Sequence, residues 1–171
     1  NCGHSIDYSL TTPWLKTYKR NPYPHTFLWE DYPMDGQHRL GFYNLHVLQR
    51  PKAADGLKDA SGEDRDYYEM DIKDNVIRLS VRKVTYQTVE RDPVYGIDLK
   101  FAKSYHPTSG GKWKIYLNDQ LVDMNKPITV FINDRKVFEG KIVPRMEDMI
   151  TSCMEYFDPC RVFPASVDVA L

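Results

Sequence analysis

A chain of 171 residues, 42% hydrophobic and 27% charged, is sized for one soluble-type domain with a real core. Its 23 basic and 24 acidic residues nearly cancel, which argues against nucleic acid or an anionic membrane as partner. No apolar run is long enough to span a bilayer.

The chain opens NCGHSIDYSL rather than with Met, and so reads as a processed or excised piece. Thr12-Pro13-Trp14-Leu15 then predicts a short helix, with Thr12 as cap and Pro13 at the first helical position. Trp14, Leu15 and Tyr18 share one face, and Pro22 and Pro24 end the helix. Beyond it the period changes. Segments 25–30, 41–49, 67–72, 75–81, 83–89, 96–101, 113–117, 128–132, 136–142 and 166–169 are rich in aromatic and β-branched residues and read as strands. Asn133-Asp134 tolerate positive φ and predict a two-residue hairpin, pairing Val130 with Val137 and Thr129 with Phe138. Residues 51–66 read as a solvent-exposed polar excursion, and 106–112 as a second flexible connection.

A second helix is expected from Pro144 to about Tyr156. Met146, Met149, Ile150, Cys153 and Phe157 fall on one stripe, which the reading places against a sheet. The resulting fold class is all-β, an antiparallel immunoglobulin-like β-sandwich with two short helices. Residues 1–24 form an N-terminal segment, and 25–171 the sandwich domain.

Chemistry is sparse. His4, His25, His38, His46 and His106 form no HxxxH or HExxH pair, so no metal site is expected. His46 reads as packed or half-exposed, and His38 and His106 as solvated loop residues. No GxSxG elbow, GxGxxG or GxxxxGK loop occurs, and no cofactor is expected. Glu63/Asp64 and Glu147/Asp148 read as solvated charge. Cys153 and Cys160 read as buried free thiols. A bridge between them requires a break at Asp158-Pro159, because one continuous helix would hold them roughly 10 Å apart. Three Trp, twelve Tyr and seven Phe are many. Trp14, Trp29, Phe42, Trp113, Phe131 and Phe138 are assigned to the core, and exposed rings that hold a polysaccharide are the alternative.

Two stretches carry a resemblance. The first runs from Gly3-His4 through Pro13-Trp14-Leu15 to Lys19-Arg20-Asn21-Pro22-Tyr23-Pro24, followed by Gly41-Phe42-Tyr43-Asn44-Leu45. The second is Asn118-Asp119-Gln120-Leu121-Val122-Asp123, then Lys126-Pro127 through Asn133-Asp134, and Val137-Phe138-Glu139-Gly140-Lys141. Together they resemble the C-terminal region of secreted bacterial serine hydrolases of the α/β-hydrolase class, related to prolyl-oligopeptidase-like peptidases and polyhydroxybutyrate-depolymerase-like esterases. The family pattern has Asn-Gly where this chain has Asn133-Asp134, and the stretch 92–111 is longer than the pattern.

The resemblance implies that residues 1–24 are a remnant of an upstream hydrolase domain. His4 would then be the general base of a Ser-His-Asp triad in the full-length parent. Histidine comes last in that chain order, so the fragment would lack its serine and acid and would not itself be an enzyme. The other reading of His4 is an arbitrary residue near a terminus. The implied partner is the hydrolase domain of the same polypeptide, and the implied location is periplasmic or extracellular. A carbohydrate-binding or protein-interaction module is the alternative.

Overall fold

The computed structural model describes residues 7–33, 35–54 and 65–171. Its strands in chain order are β1 (Thr26–Asp31), β2 (Gly41–Phe42), β3 (Leu45–Gln49), β4 (Lys52–Ala53), β5 (Arg65–Lys73), β6 (Val76–Arg91), β7 (Asp98–Ser109), β8 (Lys112–Leu117), β9 (Ile128–Ile132), β10 (Arg135–Gly140) and β11 (Ala165–Ala170). Two helices, α1 (Thr11–Leu15) and α2 (Met146–Tyr156), flank them. The first sheet runs β1-β5-β6-β7-β4, and β9 joins β6 in parallel with β10 outside it. The second runs β11-β8-β3-β2. The protein is an all-β sandwich, as the strand pattern predicts.

Alternation builds the core. In β5, Tyr68, Met70 and Ile72 point inward, and in β6 Ile77, Leu79 and Val81 do the same. Trp113, Ile115 and Leu117 of β8 and Val167 and Val169 of β11 meet them from the opposing sheet. Two tight turns fix register. Asp74 and Asn75, between β5 and β6, both have positive φ, as do Asn133 and Asp134 between β9 and β10. Gly111, at φ +103°, precedes the core: a Cβ there would lie 2.4 Å from the Trp113 ring, so only glycine fits.

Several expectations are corrected. Segments 75–81 and 83–89 are one strand, β6, because its edge on β5 stays paired without a break from Val76 to Val84. The β9–β10 turn is as expected, but a bulge at Val137 shifts the register, so Val130 pairs with Phe138 and Thr129 with Glu139. Residues 106–109 belong to β7, and the connection shrinks to Gly110-Gly111.

Within the 51–66 excursion, 55–64 lie outside the described residues, but Asp66 is a wholly buried strand residue. It accepts from Arg50 Nε at 2.8 Å, lies 2.6 Å from Lys83 Nζ and accepts from the Tyr68 hydroxyl at 3.2 Å. A buried carboxylate needs such partners.

Trp29 and Trp113 are core residues, while Phe42 and Phe138 pack on the core half-buried. Phe131 lies on the outer sheet face, and Trp14 is 57% exposed. Thr12 does not cap α1: its own N–H bonds to Tyr8 O, and Leu10 occupies the cap position.

Candidate docking face

The helix predicted from residue 144 onward exists, but it is turned over. Met146 is 71% exposed, Ile150 54% and Phe157 88%, and Met149, Cys153 and Met154 are exposed with them. The residues facing the protein are Asp148 and Ser152, with Glu155 and Tyr156 at its end. The apolar stripe therefore does not cover a sheet, contrary to expectation. The same geometry overturns the reading of Cys153 and Cys160 as buried, because both are free and exposed. It also overturns Asp148 as solvated charge.

Directional polar contacts explain the orientation. Asp148 sits in the first turn, where a carboxylate suits the helix dipole. It accepts from Ser166 Oγ at 2.7 Å on β11 and from Arg145 Nε at 2.9 Å, and its carboxylate holds the Arg145 guanidinium above its usual value. One turn on, Ser152 Oγ accepts the Phe163 N–H at 2.9 Å. Further along, Glu155 accepts from the Tyr116 hydroxyl at 2.9 Å and lies 3.2 Å from His46 Nδ1. Of the two readings of His46, packed or half-exposed, the packed one holds.

Burial, then the hydrogen bond to Glu155, pushes the Tyr116 hydroxyl far up. Tyr156 is likewise pushed up by burial, while burial pulls down Arg161, which stacks 3.6 Å over the Tyr156 ring. Arg161 also donates to the Tyr43 carbonyl, tying the end of α2 to the β2–β3 turn. Tyr156, Phe163, Tyr116 and Tyr23 form a run of ring contacts beneath.

At its C-terminal end α2 stops with Phe157 in the left-handed region, at φ 47° and ψ 35°. Glycine usually takes that position, so an exposed phenylalanine there carries strain. Asp158 then pairs with Arg20 at 2.7 Å, bringing the N-terminal segment to the same end. That segment adds exposed Leu10, Trp14, Leu15 and Tyr18. An apolar helix face and an N-terminal segment with exposed apolar residues are thus brought to one end of the molecule by the Arg20–Asp158 ion pair.

The remaining site expectations fall elsewhere. His4 lies outside the described residues. His38 is not a solvated loop histidine: its Nδ1 is 2.6 Å from Asp31 Oδ2, a buried carboxylate. His106 is in β7, with Nε2 2.9 Å from Thr85 Oγ1. His25 faces the carbonyl oxygens of Ile72 and Gln120. The four described imidazoles are thus held by four different sets of partners in separate places.

Sequence reasoning missed the inward role of Asp148, Ser152 and Glu155. Their spacing of four and three residues was a second stripe, as regular as the apolar one. No family model, curated protein or solved structure matches the chain.

Proposed function

We propose that this chain is a non-catalytic accessory domain of an exported serine hydrolase of the esterase or peptidase class. It packs on, or gates, the hydrolase domain of the same polypeptide, in which His4 supplies the general base. The observation that carries this reading is the outward apolar face of α2, apolar surface that in a free-standing domain would stay in water. The resemblance of the Gly3-His4 and Trp14-Leu15 stretch to the end of such hydrolase domains supports the identity of the partner.

Size supports a tethered partner. Three turns of helix, about 16 Å long, present far less than the roughly 800 Å² per side of a stable interface between free proteins. A covalent linkage supplies an effective concentration in roughly the millimolar range, at which so small a face suffices.

The test starts from the reading frame that precedes this segment, which should encode a GxSxG elbow followed by an acidic residue. In the full-length protein residues 146–157 should exchange hydrogen more slowly than in this chain alone, and Ile150→Lys with Phe157→Ser should remove most of that added protection. Turnover of short acyl esters by this chain alone would overturn the reading, as would an upstream frame without the elbow.

A further inference from the structure

The first sheet carries a groove on the face turned away from the core, and its origin is topological. One edge of β6 is used twice in series: residues 76–79 pair with β9, and 82–91 pair with β7. Between the two partners a notch opens at Ser80 and Val81. Asn133 closes its back, accepting the Val81 N–H at 2.8 Å and donating to the Val81 carbonyl at 3.1 Å. Thr108 donates to the same carbonyl at 2.9 Å. The backbone is thereby satisfied without a third strand, and the notch stays open.

Two adjoining cavities of about 390 and 270 Å³ meet there, sharing Ser80, Arg82, Asn133 and Asp134. The larger lies within the range of small-ligand sites, roughly 300–1,000 Å³, and the smaller just below it.

Chemistry narrows the occupant. Arg78, Ser80 and Arg82 alternate along β6 and face one side. Arg78 lies 4.6 Å over the Phe131 ring and Arg82 5.3 Å over the Tyr105 ring, so both guanidinium planes are already oriented. Glu69 and Asp71, cross-strand from Ser80 and Arg78, line the groove with Asp134. Among the described residues none of these five charged groups is ion-paired with another.

Three carboxylates repel a polyanion, and two guanidinium groups without a carboxylate partner disfavour an apolar peptide. What suits fixed donors and fixed acceptors side by side, with ring faces beneath, is a run of hydroxyls, each of which both donates and accepts. We propose that this groove binds a neutral glycan, with Arg78 and Arg82 donating to its hydroxyls and Glu69, Asp71 and Asp134 accepting from them. The groove is on the opposite sheet from α2, so this binding stands whether or not α2 docks on a hydrolase.

Amide chemical-shift titration of the whole chain tests it, using neutral hexasaccharides of glucose, mannose and xylose, with polygalacturonate and oligothymidylate as polyanion controls. At least one neutral sugar should shift residues 78–82 and 131–134 saturably, and Arg82→Ala should weaken its binding about tenfold. The rest of the spectrum reports whether that variant is folded, and Tyr105→Ser provides a second, independent loss. The proposal is overturned if no neutral sugar moves these amides, if the shifts map elsewhere, or if only the polyanions bind.

Discussion

The sandwich core and the seam beneath α2 are held by different physics. Between the sheets, Trp113, Tyr68, Ile77 and Ile115 are wholly buried, and attraction there is non-directional and scales with area. Beneath α2, Asp148, Ser152 and Glu155 are held by hydrogen bonds to Ser166, the Phe163 N–H and Tyr116. Directional bonds fix the helix in one orientation while leaving its apolar side outside. The difference teaches that amphipathicity marks which residues share a face, not which face turns inward.

The largest expected effect lies in the core. Trp113→Ala should cost about 3–5 kcal/mol of global stability, read as a shift in the urea midpoint, because the opposing sheets cannot close over the void. Asp148→Ala should act more locally. Losing the part-buried contacts to Ser166 and Arg145 should cost about 1–2 kcal/mol and raise hydrogen exchange over residues 146–156 well before the strands open. Equal loss of protection in core and helix would break the contrast.

Much of the core was legible because strands announce themselves by composition and period. The Asn133-Asp134 turn was readable for the same reason, its positive-φ residues being a local requirement. The bulge at Val137 was not readable, since it depends on how β10 meets its surroundings. Nor was Asp66 within a polar run, because its partners Arg50 and Lys83 lie 16 and 17 residues away. In α2 both stripes were present in the sequence. The usual preference for apolar burial chose the wrong one, because Ser166, Phe163 and Tyr116 come together only in the folded sheet. His4, the one catalytic candidate, came from resemblance and lies outside the described residues.

Electrostatics on the outer face of the first sheet gives a third test, distinct from both core and seam. Burial pushes the Glu30 carboxyl up, but hydrogen bonds from Lys103, Tyr86 and Arg65 outweigh it and hold it below its usual value of 4.5. Its contribution is therefore complete above about pH 4.5 and is lost as pH falls through the lowered folded value. Glu30→Gln should cost about 1–2 kcal/mol at pH 7, and the gap to the parent chain should shrink by pH 3 in urea unfolding. A gap that stays constant would remove Glu30 from the account.

Phe157→Gly should have a smaller effect of opposite sign. Relieving the left-handed phenylalanine should stabilise the isolated domain by up to about 1 kcal/mol while removing part of the docking face.

The most direct test of the central claim, that the apolar side of α2 faces outward, is the urea midpoint of the Ile150→Lys chain. The account predicts a change within about 0.5 kcal/mol, as for a surface position. A loss of several kcal/mol, the cost of burying a charge in a core, would show that the stripe packs inward and would contradict it.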